Sequence, residues 1–180
     1  MTPEEARCVL DSAELIFDET QVQAAVSRLA HEISEALAET NPLVLAVMGG
    51  ATIFAGHLLP QLRFPLEYDY LHVTRYGNET TGGGLTWIVQ PRLPLVGRTV
   101  LIVDDILDEG ITLAETRRRV LQMGAARCVT AVFADKDIGR TKPIVPDFIG
   151  LTLPNRFVFG FGMDIKGAWR NLPAIYAVAE

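Results

Sequence analysis

The chain has 180 residues, 49% of them hydrophobic and 21% charged, with a formal net charge of −6. That length suits one domain with a sizeable core, and the composition excludes a disordered or fibrous chain. The acidic balance argues against binding nucleic acid, which needs clustered positive charge.

The first predicted element is a short helix after Thr2-Pro3-Glu4-Glu5, where a cap candidate, a proline at the first helical position and a glutamate placed for a capping box coincide. The opening MTPEEARC is acidic and has no apolar signal core, so a cytoplasmic protein is expected. The two cysteines, Cys8 and Cys128, stand in apolar settings and read as small core residues of a reducing compartment. A brief strand is expected over 15–17. Thr20 then opens a helix in which Val22, Val26, Leu29, Ile33 and Leu37 recur at helical spacing, ending before Asn41-Pro42. His31 on that helix reads as a surface or satisfied histidine rather than a ligand.

Residues 41–61 carry no charged side chain, as a membrane span would, but Gly49, Gly50, Gly56 and His57 interrupt them and Pro42 and Pro60 bound them. Strand, turn and helix fit better: a buried strand over 43–47, a turn at Met48-Gly49-Gly50, and a helix through Ile53, Phe54 and Leu58. Glycines at a strand end let the backbone approach a ligand closely, and a tight turn without a ligand is the alternative. A strand over 64–74 follows. The stretch 75–84, with Arg75, Tyr76 and three consecutive glycines, reads either as a moving segment or as a solvated hairpin loop. Residues 85–90 should return as a strand and 91–97 should turn into the next element.

Residues 100–103 form a continuous β-branched and aliphatic run, the composition of a strand covered on both faces. Asp104, Asp105, Asp108 and Glu109 crowd its carboxyl end, Gly110 relaxes the backbone, and Thr112 is placed to cap a helix with Leu113, Val120 and Leu121 on one face. In an open α/β sheet this strand-to-helix crevice is where ligands bind. The crowded carboxylates would repel one another unless a cation or a polyhydroxyl ligand sat among them. The helix N-terminus meanwhile favours an anion, most naturally a phosphate. The element therefore asks for a ligand with a phosphate, hydroxyls and a divalent metal.

Gly124 ends that helix, and its Arg117, Arg118 and Arg119 read as solvated charge. A further strand over 127–133 brings Ala134-Asp135-Lys136-Asp137 to the same ligand-facing edge. Later, Phe157, Phe159 and Phe161 alternate as in a strand, with at least two of them in the core, and Trp169 and Tyr176 read as packing residues.

The run VLIVDDILDEGITL, residues 100–113, resembles the phosphoribosyl-pyrophosphate (PRPP) motif of the type I phosphoribosyltransferases, specifically the hypoxanthine-guanine group. The likeness extends from about Ala13 to Tyr176. It implies an α/β fold, a mainly parallel twisted sheet flanked by helices, as one domain of 180 residues. A small hood would come from the chain ends, roughly 1–18 and 147–180, with a flexible loop over 75–84.

The resemblance lends roles residue by residue. Asp104 and Asp105 would contact the ribose hydroxyls, and Asp108 would be the acid/base near the purine imidazole. The loop Glu109, Gly110, Ile111 and Thr112 would hold the 5′-phosphate, with no side-chain role for Ile111. Many relatives carry a small hydroxyl residue where Glu109 stands, so its negative side chain must turn outward and leave backbone N–H groups to bind. Met48 and Gly49 match the pyrophosphate loop, which carries a non-proline cis peptide in the family; the lysine of human-like relatives is absent at Met48. Arg170 matches an arginine that contacts pyrophosphate. Lys136 would donate to the exocyclic oxygen of the purine, Phe157 would stack on the base, the Val158 carbonyl would accept from it, and Asp164 would also belong to the purine site. Asp164, with Asp104 and Asp105, would serve magnesium, and Arg75 and Tyr76 would belong to the closing loop.

The function so implied is transfer of a phosphoribosyl group from PRPP to hypoxanthine or guanine by a homodimer or homotetramer, with Mg2+ and with no nucleic acid or membrane partner. Two other readings stand beside it. One is a nucleotide-sensing regulator on the same fold. The other is a magnesium-binding receiver domain, in which an acid pair like Asp104-Asp105 ends the first strand.

Overall fold

The computed structural model describes residues 1–75 and 85–179, without the side chains of Arg75 and Leu85. Tyr76 and the rest of the expected loop lie outside the described residues.

Helix α1 (Pro3–Ser12) begins with the expected capping box, in which Glu5 N–H donates to Thr2 Oγ1 and Thr2 N–H to Glu5 Oε2. Strand β1 (Glu14–Phe17) follows, then α2 (Glu19–Leu37). The latter starts earlier than Thr20, because Asp18 and Gln21 form a second capping box and satisfy donors that a start at Thr20 would leave open. Val22, Val26, Leu29, Ile33 and Leu37 are all buried, as their spacing requires. His31 lies on the surface beside Glu35.

The central sheet is built from β2 (Leu43–Met48), β3 (Glu67–Arg75), β4 (Leu85–Val89), β5 (Thr99–Leu107), β6 (Arg127–Lys136) and β7 (Phe148–Leu153). Its spatial order is β4-β3-β2-β5-β6-β7. All neighbours run parallel except β3 and β4. Period-2 alternation sorts the side chains. Val44, Ala46, Leu101 and Val103 meet α2 and α3 (Ala51–Leu58) on one face, and Leu43, Leu45, Val100 and Ile102 meet α4 (Ile111–Gln122) on the other. Successive connections leave β2 and β5 in opposite directions, so a topological switch point opens between their carboxyl ends. With the acid pair on this central fifth strand rather than on a first one, the receiver reading falls.

A second sheet, β1-β9-β8, joins the two chain ends through β8 (Val158–Phe159) and β9 (Ile175–Ala177). This is the expected hood. Phe159 and Phe161 are fully buried and Phe157 is 57% exposed. The strand pattern stops short of Phe161, whose φ of 48° turns the chain. Its ring centroid lies 4.4 Å from that of Phe133 on β6, which lies 5.3 Å from Phe54 on α3. Each such aromatic pair contributes about 0.5–1.5 kcal/mol beyond burial, so the hood is pinned to the sheet directly behind the switch point. Trp169 is held by its indole N–H on the Ala6 carbonyl, and Tyr176 stacks on Phe159.

Four expectations fail on tertiary grounds. Thr112 is not the cap of α4: Gly110 is, at φ 80°, a left-handed geometry that starts the helix without a side-chain acceptor. Leu121 is 42% exposed while Leu113 and Val120 are buried. Cys8 is exposed, because α1 buries none of its residues, whereas Cys128 lies in the core and burial pushes its thiol up to about 12. Of the three arginines, Arg119 is not simply solvated, for its guanidinium carbon sits 5.4 Å from the Trp87 ring centroid. Among the described residues no helix is long and apolar enough to cross a membrane.

Candidate active site at the switch point

The loops after β2 and β5 and the hood segment 160–170 enclose a cleft of about 500 Å³. Met48, Gly49, Asp104, Asp105 and Asp108 line it, together with Glu109, Gly110, Ile111, Thr112, Asp164 and Arg170. A second pocket of about 200 Å³ opens beside it and adds Lys136, Phe157 and Val158. The two share Asp105, Ile106, Asp108, Asp164 and Arg170. Every described residue to which the resemblance lends a phosphate, sugar, base or metal role thus falls in one of two adjoining pockets. Of the two loop residues so assigned, Arg75 ends β3 with its side chain undescribed, and Tyr76 lies outside the described residues.

The strand runs farther than its hydrophobic stretch, so Asp104 and Asp105 sit inside β5, with Asp104 in register with Val132. Both are only 9% exposed. Asp105 N–H donates to Asp104 Oδ1 at 3.0 Å and Ile106 N–H to Asp105 Oδ1 at 2.9 Å. Burial, reinforced by the neighbouring Asp105 charge, drives the Asp104 carboxyl well above the usual range. Burial also raises Asp105, against a hydrogen bond with Asp104 and the charge of Arg170.

The crowding expected of the acids resolves unevenly. Asp108 Oδ2 accepts from Lys136 Nζ at 3.0 Å, and Glu109 turns outward to Arg140 at 2.8 Å. The inner pair keeps its mutual repulsion, which marks it as the place for a cation or a donor-rich ligand. Asp164 is partly engaged already: Gly167 N–H donates to its Oδ2 at 2.6 Å, and Arg170 pairs with its Oδ1 while also donating to the Gly162 carbonyl. Among the described residues no three His, Cys, Asp or Glu side chains gather to hold a metal alone. The three aspartates therefore do not form one protein cage. One or two carboxylates completed by ligand oxygens and water is the arrangement magnesium commonly takes, and these residues fit it.

The peptide between Met48 and Gly49 is cis. Met48, paired in register with His72 on β3, has Sδ facing the Thr52 hydroxyl at 3.4 Å and supplies no charge. Two close approaches escaped the sequence reading. A Cβ on Gly50 would stand 1.9 Å from Asp105 Oδ2, and one on Gly162, at φ 103°, would stand 2.3 Å from the Gly50 carbonyl oxygen. Only glycine lets the β2 turn, the acid pair and the hood meet at this spacing. The paired glycines at 49–50 and the repeat Phe159-Gly160-Phe161-Gly162 were the available signals. Arg140 and Lys142, also unforeseen, come from the irregular segment between β6 and β7.

Residues 12–166 match the family model described as a phosphoribosyl transferase domain. The hypoxanthine-guanine-xanthine phosphoribosyltransferase of Tritrichomonas foetus is 32% identical, over 94% of this chain and 93% of its own. The hypoxanthine-guanine phosphoribosyltransferase of Bacillus subtilis (strain 168) is 33% identical, over 92% of each chain. A solved hypoxanthine-guanine-xanthine phosphoribosyltransferase superposes with a TM-score of 0.86 at 29% identity, over 94% of this chain and 99% of its own. With that breadth of agreement, and with the motif at the switch point where the fold needs it, the chain belongs to the type I phosphoribosyltransferases, in their hypoxanthine-guanine family.

Proposed function

We propose that this chain is a purine salvage enzyme that transfers the phosphoribosyl group from PRPP to hypoxanthine or guanine, forming IMP or GMP and releasing pyrophosphate. The observation that carries the reading is the shared wall of the two pockets. The larger offers buried carboxylates and a helix start to a sugar phosphate, and the smaller offers a cation and an exposed ring to a base, with Asp108 between them.

In this scheme Asp104 and Asp105 hold the ribose hydroxyls, and main-chain N–H groups over 109–112 take the 5′-phosphate, with Glu109 kept aside by Arg140. Met48 and Gly49 bind the diphosphate through the backbone, and Arg170 adds charge there. Phe157 and Val158 hold the purine while Asp108 manages its imidazole proton. Enzymes of this family use PRPP with Mg2+, which when bound neutralises diphosphate charge as it develops. Asp164, with Asp104 and Asp105, is the protein's share of that site. We assign residues 1–180 to one phosphoribosyltransferase domain, its hood at roughly 1–18 and 147–180, working in the cytoplasm as a homodimer or homotetramer. Free Cys8 and Cys128 suit that compartment.

Lys136 carries donors only, so it selects a purine with an acceptor oxygen at position six and opposes the adenine amino group. An unmet charged donor in the closed site costs about 1–3 kcal/mol or more, so adenine should react about 10- to 10²-fold less well. The test is kcat/KM for hypoxanthine, guanine, xanthine and adenine with PRPP, in wild type and Lys136→Ala. Both hypoxanthine and guanine should react, and xanthine should be the poorest oxopurine, because its second carbonyl meets the Val158 carbonyl. Loss of the lysine should erase the oxopurine preference. Adenine as the best substrate would sink the base assignment.

Metal dependence is a separate expectation. Excess chelator should abolish turnover, and Asp164→Ala should raise the magnesium concentration needed for half-maximal rate while hardly altering binding of free purine. Undiminished turnover in chelator would remove the metal from the scheme.

A further inference from the structure

Lys142 lies in the irregular segment between β6 and β7, where no periodicity or motif singles it out. Its side chain is nevertheless only 11% exposed. The ammonium meets three acceptors: Leu107 O at 2.8 Å, Lys136 O at 2.6 Å and Asp135 Oδ1 at 2.5 Å. An ammonium has three N–H donors, so its hydrogen-bonding capacity is filled without water. Two of the acceptors are backbone carbonyls on different strands, and their positions matter. Leu107 immediately precedes Asp108, and Lys136 is itself the residue whose Nζ stands 3.0 Å from Asp108 Oδ2. The last register pair between β5 and β6 is Leu107 with Asp135. Beyond that rung, where the ladder stops and both side chains project into the smaller pocket, the Lys142 ammonium bridges the two strand ends.

We infer that Lys142 is a positioning residue for the base half of the site, fixing the separation of Asp108 and Lys136 by clamping the carbonyls of Leu107 and Lys136. The inference rests on the purine role given above to those two side chains. A lysine suits the task better than an arginine, because three diverging donors on one nitrogen can reach a carboxylate and two carbonyls from different directions, whereas a guanidinium presents a planar fork. Of the residues lining the larger cleft the ammonium meets Leu107 alone, and it reaches none of Met48, Gly49 and Arg170, to which the scheme gives the diphosphate. Its removal should therefore be felt on one side only.

The experiment compares wild type with Lys142→Met, which keeps the apolar stem and removes all three bonds. Displacing a reacting group by an ångström can cost about 10²-fold, so kcat/KM for hypoxanthine and guanine should fall by that order, with the preference over adenine narrowed. The dissociation constant of PRPP, measured without purine, should stay close to wild type. Equal losses for purine and PRPP, or an unchanged oxopurine-to-adenine ratio, would overturn the inference, since a merely structural lysine gives either result. Where Lys142→Met does not fold, Asp135→Asn carries the test, because it weakens the anchor of the ammonium and leaves both carbonyl contacts. A smaller loss confined to purine kinetics is expected, and wild-type purine kinetics would count against the clamp. A wild type inactive with every base would refute the proposed function instead. The clamp is then read from amide hydrogen exchange, which should quicken at 108–109 and 136–137 in the variant and would refute the clamp by staying unchanged.

Discussion

Replacing Asp108 by asparagine is expected to lower turnover about 10²-fold or more while the protein folds and binds PRPP as before. The two halves of that expectation have different physical origins. Asp108 is 55% exposed, and its pair with Lys136 is an ion pair reached by solvent on one side, the kind worth about 0–1 kcal/mol. Asparagine keeps an oxygen that can accept from Lys136 Nζ, so the thermal midpoint should hardly move. It cannot take up or release a proton at the purine, and that capacity is what the chemical step uses. Single-turnover measurement with PRPP and hypoxanthine separates chemistry from product release. A rate near wild type there would move the acid/base role off Asp108. A midpoint lowered by many degrees would show that the pair with Lys136 is a structural contact after all.

The parts of this site visible in the sequence are those written in contiguous residues. Val100, Leu101, Ile102 and Val103 announce a covered strand, and the acids that follow announce its ligand-facing end, because charge at the end of a doubly covered strand has few other uses. The helical spacing from Val22 to Leu37 foretells one layer, and the alternation of Phe157, Phe159 and Phe161 foretells at least two core rings, whereas only the family resemblance singles out Phe157 as the ring left for the base. What could not be read is set by residues distant in sequence. Gly110 starts α4 because the chain turns left-handed there, a backbone property that the neighbouring Thr112 hides. Gly50 lacks a side chain because of Asp105, 55 positions on, and Gly162 because of the Gly50 carbonyl, 112 positions back. Arg140 and Lys142 sit in a segment with no period, and their partners appear only once β5 and β6 are in register. Surface helix α1 misled in the other direction: Cys8 has apolar neighbours in sequence and no core to enter.

The buried pair Asp104 and Asp105 should make the ligand-free protein less stable as pH rises, contrary to the common behaviour of aspartates. Burial, then the mutual charge, places the folded Asp104 carboxyl well above its usual value, and burial raises Asp105 as well. In an unfolded chain each would titrate near the ordinary value of about 3.9. Between that value and the raised folded ones, the folded state binds more protons than the unfolded state, and stability falls with rising pH. The pair's contribution is favourable below the window and fully lost above it, so alkaline of the raised values the ligand-free fold carries two unneutralised acids. Asp104→Asn removes one of them. The variant should show a higher thermal midpoint than wild type at pH 8 without ligand, a gap that closes towards pH 4. The gain should come at the expense of function, since a hydrogen bond to a charged group contributes about 1.5–3 kcal/mol and its loss at the ribose hydroxyls should weaken PRPP binding about 10- to 10²-fold. For the same reason PRPP binding in the wild type, at a pH between the ordinary and the raised values where the free pair still holds protons, should release them, visible as a dependence of the calorimetric enthalpy on the ionisation heat of the buffer. A variant less stable than wild type at pH 8, together with binding that releases no protons, would mean that the pair is ionised at no cost and that the fold already neutralises it.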